Sequence, residues 1–216
     1  MIRQCNIGGA AEFNLSIISN SRLSSLSRAL LLAEENWGIT WKVILYSSLP
    51  LLELYLPQRF ISRFYRLPEK PKEKDYQVLA YDQEFQESIC CFLFFTRLVP
   101  KSVYMSVNTI NFHPSLLPDH SGLSGYDCAI AHRQLAISAH TVDASIDGGS
   151  LLRQYSVVPF PQCATNKLLR TESSLLCSAA ILSLLREFPS ICALDHQEFV
   201  DGRACVESAL GTEFCM

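Results

Sequence analysis

A single α/β domain with a mostly parallel sheet is predicted by three features of the chain. A strand–helix–strand succession fills residues 13–46, a run apolar at every position spans Ile89–Phe95, and a long helix with a broad apolar face spans Thr165–Phe188. Strand, helix and strand in such close succession join parallel strands by a right-handed crossover. A strand covered by helices on both faces has no solvent side and needs no polar alternation, which accounts for Ile89–Phe95. The 216 residues correspond to one domain at roughly 150 residues each. Residues 1–12 read as a loose leader and 13–216 as the domain.

Phe13–Ser19 is apolar and partly alternating, as a strand requires. From Ser21 the period changes: Leu23, Leu26, Leu30 and Ala33 recur at three- and four-residue steps, predicting a helix that Asn20 or Ser21 caps and Gly38 ends. Ile39–Tyr46 is the second strand. Pro50, Pro57, Pro68 and Pro71 punctuate a less regular stretch, and the charged run Glu69–Asp75 reads as a solvated loop. Tyr76–Ser88 carries a weak helical pattern. Val107–Phe112 is a further strand. In the last helix Leu168, Leu169, Leu175, Leu176, Ala179, Ala180 and Leu184 form the apolar face, and Pro189 is expected to stop it. No internal repeat or low-complexity segment occurs.

Composition excludes several classes. Apolar residues are 49% of the chain and charged ones 18%, with mean hydropathy +0.16, which is too apolar for disorder. The longest apolar run has seven residues, far below the ~20 of a membrane span. A net charge of −3 offers no polyanion-binding surface, so neither a nucleic acid nor a membrane is an expected partner. Nine cysteines, at 5, 90, 91, 128, 163, 177, 192, 205 and 215, form no CxxC pair, and Met1–Ala11 lacks the regions of a signal peptide. They read as reduced, mostly buried thiols of a cytoplasmic protein.

Chemistry concentrates in Ile110-Asn-Phe-His-Pro-Ser-Leu-Leu-Pro118. Asn111 and His113 stand two apart at a strand end, so both point at one site, and Pro114 ends the regular pairing. In an open parallel sheet such a site lies beyond the carboxyl ends of the strands. Downstream, His140-Thr-Val-Asp143-Ala-Ser-Ile-Asp147-Gly148-Gly149 reads as a strand and then a turn bearing a carboxylate. An amide, an imidazole and a carboxylate converging on one site can acylate an amine. The Asn111 N–H stabilises charge on a carbonyl oxygen, His113 relays a proton near neutral pH, and Asp147 holds the imidazolium or helps deprotonate the amine. His120 and His132 lack such a context and read as surface residues.

Asn111-x-His113-Pro-Ser-Leu-Leu-Pro followed by His140-x-Val-x4-Asp147-Gly-Gly and Gln154 resembles the folate-dependent formyltransferases, and within them the glycinamide ribonucleotide transformylase branch. The resemblance implies a Rossmann-like domain, 10-formyltetrahydrofolate as donor, no metal, and formyl transfer to a primary amine of a small acceptor. It implies that Asn111, His113 and Asp147 are catalytic. It places Phe94-Phe-Thr-Arg97-Leu98-Val99-Pro100 against the folate, so that Arg97, Leu98, Val99, Asp143 and Ile146 bind the donor. Pro114 and Ser115 fall on the acceptor side, with Asn20, Ser21 and Arg22. The order of elements agrees along 13–190, while the specific motifs cover about 94–154.

Two departures bear on the acceptor. The branch holds its phosphate on a Gly-rich turn after the first strand, and here Ser19-Asn-Ser-Arg-Leu-Ser-Ser25 has no glycine. Asp119-His120 replaces a basic or aromatic pair, and a short interval from His113 to His140 predicts an altered loop at Ser121–Asp127. The nearest acceptor that the resemblance offers is still glycinamide ribonucleotide. Alternatives are an amino-sugar nucleotide, hydrolysis of the formyl donor, or a domain that binds without catalysis, and turnover distinguishes the last from the others.

Overall fold

The computed structural model describes residues 12–88, 90–122, 127, 131, 132, 135–157 and 166–191. In chain order its strands are β1 (Glu12–Ser19), β2 (Thr40–Ser47), β3 (Ile61–Arg66), β4 (Cys91–Phe94), β5 (Thr109–His113), β6 (Leu135–Thr141) and β7 (Leu151–Val157). The helices among these residues are α1 (Ser24–Trp37), α2 (Glu73–Tyr81), α3 (Gln83–Gln86), α4 (Lys101–Tyr104) and α5 (Asn166–Ile191). The strands form one sheet in the order β3-β2-β1-β4-β5-β6-β7. Pairing is parallel from β3 to β5 and antiparallel for β5–β6 and β6–β7. The mostly parallel α/β expectation therefore holds. Strand order reverses between β1 and β4, which opens a crevice at their carboxyl ends.

Alternation along β1 explains why both sheet faces are covered. Leu15 and Ile17 face one core layer, with Leu26 and Leu30 of α1, Trp41 of β2, and Ile181 and Leu185 of α5. Ile18 faces the other, with Tyr46, Leu79, Phe85, Leu93 and Val103. Each fully buried side chain of this size contributes about 1.5–3 kcal/mol relative to exposure. Strand β4 is buried except at Phe94, which is partly covered, as an all-apolar central strand should be.

Several boundaries differ from the sequence reading, each for a local reason. Helix α1 starts at Ser24, not Ser21, because Leu23 before it adopts a left-handed conformation (φ 61°, ψ 26°) with no side-chain cap. Neither expected cap serves: Asn20 Nδ2 donates to Thr96 Oγ1 at 2.8 Å, and Ser21 N–H donates to Ser19 Oγ at 2.9 Å. Gly38 does end the helix, its N–H reaching the Glu34 carbonyl at 3.0 Å. The charged run is a loop only as far as Lys72, since α2 begins at Glu73. Asp75 accepts the Lys72 N–H at 2.7 Å, and acidic residues in a first turn suit the helix dipole.

The helix expected at 76–88 is split by Asp82, whose Oδ1 accepts the Glu84 and Phe85 N–H groups and starts α3. Strands β3 and β7 add to those the sequence predicts; both are edge strands and mix polar with apolar residues. Helix α5 continues through Pro189 to Ile191. In a last turn proline removes one ladder bond and has little helix left to break. Residues 1–11 of the expected leader, Ile89, most of Ser121–Asp127, six of the cysteines (5, 128, 163, 192, 205 and 215) and the chain beyond 191 lie outside the described residues, and Glu12 belongs to β1. Cys90 and Cys91 are buried, and burial pushes the ionisation of Cys91 and Cys177 up, so neither of these two offers a thiolate. Among the described residues no helix is long and apolar enough to cross a membrane, and no cluster of three or more His, Cys, Asp or Glu is placed to hold a metal ion.

Candidate active site

Register brings the polar residues together. In the antiparallel β5–β6 pair Asn111 lies directly opposite His140, and His113 opposite Ser138. Side chains of directly opposed residues share a face and are within contact distance. The chain then turns through 142–150 before β7, and the neck of that turn is tight. The Thr141 N–H donates to the Ser150 carbonyl at 2.9 Å, and the Ser150 N–H donates to Thr141 Oγ1 at 2.8 Å. A Cβ on Gly149 would collide with the Thr141 carbonyl, so this position requires glycine. Asp147 sits on the same turn at φ 51°, a conformation that Asp tolerates better than most residues.

Asp147 is the hub. Its Oδ1 accepts from Asn111 Nδ2 at 3.3 Å and lies 3.5 Å from His140 Nε2. Its Oδ2 accepts the Gly122 N–H at 2.7 Å and lies 3.3 Å from His113 Nδ1. His113 Nε2 faces the His120 carbonyl at 2.7 Å, and Ser115 Oγ donates to that same carbonyl at 2.8 Å. Each ring nitrogen of His113 thus faces an oxygen acceptor, and an imidazolium formed during a reaction would donate to both. His113 and His140 are buried, at 5% and 2% exposure. Burial pushes the His140 ionisation below the usual histidine range, against the opposing pull of the Thr141 carbonyl and Asp147.

A second set of bonds fixes the loop after His113. Ser138 Oγ donates to the Ser115 carbonyl at 2.6 Å and accepts the Leu117 N–H at 3.2 Å. Gln154 Nε2 reaches Ser138 Oγ at 2.9 Å and the Leu117 carbonyl at 3.0 Å. Sequence reasoning quoted His140 and Gln154 without assigning either a task, and missed Ser138, the Gly122 N–H and the His120 carbonyl. The one signal available was that His140 and Gln154 lie in the motif itself. The two backbone groups have none, because any residue supplies them.

Two cavities adjoin at Phe94, Phe112 and Pro114, and the hub lines one of them. The larger, about 700 Å³, is lined by Asn111, His113, His140 and Asp147, and by all five residues expected to face the donor: Arg97, Leu98, Val99, Asp143 and Ile146. Its walls are mostly apolar, with Leu93, Phe95 and Val142 among them. Leu98 and Ile146 stand 74% and 60% exposed at its rim. The smaller cavity, about 280 Å³, opens at the start of α1 against α5 and is lined by Arg22, Ser24, Ser25, Ser173, Ser174 and Cys177, among others. Ser21, Phe94, Phe112 and Pro114 line both. Asn20 lines the larger cavity rather than the smaller one. Ser115 lines neither: it is fully buried, and its hydroxyl is spent on the His120 carbonyl. Arg22 also donates to the Tyr55 hydroxyl at 3.2 Å.

A family model described as "Formyl transferase" matches residues 54–175, more than half of the chain. A phosphoribosylglycinamide formyltransferase of Haemophilus influenzae is 38% identical over 55 residues, and that match covers 24% of this chain and 26% of the relative. The matched segment is thus about a quarter of the relative's length. Among solved structures, a glycinamide ribonucleotide transformylase 1 from Symbiobacterium toebii is similar with a TM-score of 0.69 at 21% identity, over 83% of this chain and 88% of that one. A sugar N-formyltransferase from a Shewanella species gives a TM-score of 0.59 at 17% identity, over 85% and 74%. At such identities the structural likeness speaks for the fold.

Proposed function

The chain belongs to the formyl transferase family, and on that premise we propose that it transfers the formyl group of 10-formyltetrahydrofolate to a primary amine, with Asn111, His113 and Asp147 as the reacting set. The observation that carries this reading is the hub itself. One carboxylate is bonded or adjacent to an amide, a backbone N–H and two imidazoles in the wall of a mostly apolar cavity. Such a cavity suits a flat ring system with a few polar edges. Leu98, Val99 and Ile146 would cover the rings, and Arg97 and Asp143 would meet polar groups.

In the proposed reaction the amine nitrogen attacks the formyl carbon, and a new C–N bond forms as charge collects on the carbonyl oxygen. Asp147 takes a proton from the attacking nitrogen. A protonated Asp147 no longer competes for the Asn111 N–H, which becomes free to donate to the oxyanion. Asp147 relays that proton to His113 Nδ1, and His113 Nε2–H turns from the His120 carbonyl to give its proton to N10 of the folate as the C–N10 bond breaks. The amine loses one proton and N10 gains one, so no external acid or metal is needed for balance.

For the acceptor, the smaller cavity supplies serine hydroxyls and the guanidinium of Arg22 at the start of α1. A phosphorylated amine fits that chemistry, with glycinamide ribonucleotide first. The turn 19–25 has no glycine and Leu23 stands next to α1, so an amino-sugar nucleotide is the second acceptor to test. Melting with and without a non-transferable folate analogue tests the donor site. At ~100 times its Kd the analogue should stabilise by about 2.7 kcal/mol, a shift of a few degrees. No shift at saturation removes the proposal.

A further inference from the structure

We propose that His140 is a positioning residue that fixes the orientation of the Asn111 carboxamide, through a ring held with its proton on Nδ1. His140 Nδ1 lies 2.8 Å from the Thr141 carbonyl, which can only accept, so Nδ1 must carry the proton. A neutral ring then has a bare lone pair on Nε2. Burial to 2% exposure keeps the ring neutral, since a charged imidazole would lose its hydration there. Nε2 stands 3.1 Å from Asn111 Nδ2, opposite it across the β5–β6 pair. A lone pair can be met by the amide NH2 and not by the amide oxygen. The second N–H of the same group points at Asp147 Oδ1. Two acceptors on one side therefore decide which way the amide faces, whatever else approaches it.

The consequence rests on the proposed reaction. When Asp147 takes a proton and releases its N–H, an unsupported amide could rotate and present its oxygen to the developing oxyanion. With Nε2 holding the other N–H, the released one keeps its aim. His140 touches no reacting atom in this scheme and acts through Asn111. Its removal should lower kcat and leave the KM of the donor nearly unchanged, because the donor's ring contacts lie elsewhere in the cavity.

Three measurements test this. A long-range proton–nitrogen NMR spectrum of the wild-type imidazoles should show the His140 ring singly protonated on Nδ1 at neutral pH. A ring protonated on Nε2 overturns the proposal, whether or not the protein transfers formyl groups. His140→Leu, which offers no acceptor, should lose kcat by about 10²-fold, the scale of a misaimed catalytic group, with donor KM within about twofold. His140→Gln, whose Oε1 can take the place of Nε2, should restore most of that loss. Equal losses in the two variants, or wild-type kcat in His140→Leu, would overturn the proposal. Should His140→Leu fail to fold, the tautomer and the His140→Gln rate still decide it.

Discussion

The carboxyl end of β5 and the turn between β1 and α1 lie at adjoining cavities but are tied down in different ways. At β5 almost every polar atom has a stated partner, and one carboxylate ties a strand, a loop and a turn together. At the β1–α1 turn no side chain caps the helix, a leucine holds a left-handed backbone, and hydroxyls take the place of glycine. The contrast separates two tasks. Chemistry on the formyl group demands fixed positions, whereas holding the far end of an acceptor tolerates several solutions and can change with the acceptor.

The sharpest way to break this comparison is to remove the hub. Asp147→Asn or His113→Ala should lower kcat by ~10² or more, the usual contribution of a positioned acid or base, with the fold retained. Steady-state rates near wild type in either variant would make the two regions equally dispensable. Next in size is Gly149→Ala, which forces a methyl into the Thr141 carbonyl. It should destabilise the protein by about 2–3 kcal/mol, the scale of a backbone clash, and reduce activity through Asp147 on the same turn. Denaturant unfolding reads this directly.

Leu23→Gly probes the other region. Relief of the left-handed leucine is worth about 1–2 kcal/mol, and loss of a buried leucine (3% exposed) costs about 3–5 kcal/mol. The net should be a destabilisation of about 2 kcal/mol with donor KM unchanged. A stabilised variant would mean that strain outweighs packing at this turn. The smallest effect expected is a pH slope. His140 has its ionisation depressed in the folded state by burial, so the unfolded chain binds its proton first as pH falls. Stability from this group is full above about pH 6.5 and is lost as pH drops through the folded value. His140→Gln should flatten that part of a melting-against-pH curve, and an unchanged slope would assign it to other groups.

The legible parts of the sequence were those governed by local chemistry. Asn111 and His113 could be paired because residues two apart on a strand share a face, and Ile89–Phe95 could be placed centrally because nothing polar interrupts it. His140 could be quoted but given no task, since its place opposite Asn111 depends on an antiparallel register that no local pattern reveals. The start of α1 was misplaced because Leu23 adopts a backbone that its residue type does not advertise. Ser115 pointed toward substrate by its neighbours, and burial turned it instead onto the His120 carbonyl.

The most direct measurement follows the formyl carbon itself. With 10-formyltetrahydrofolate labelled at that carbon, and glycinamide ribonucleotide or an amino-sugar nucleotide as acceptor, the wild-type protein should place label on the amine, and Asp147→Asn should do so ~10² times more slowly. Label released only as formate, or equal transfer by both proteins, would contradict the account.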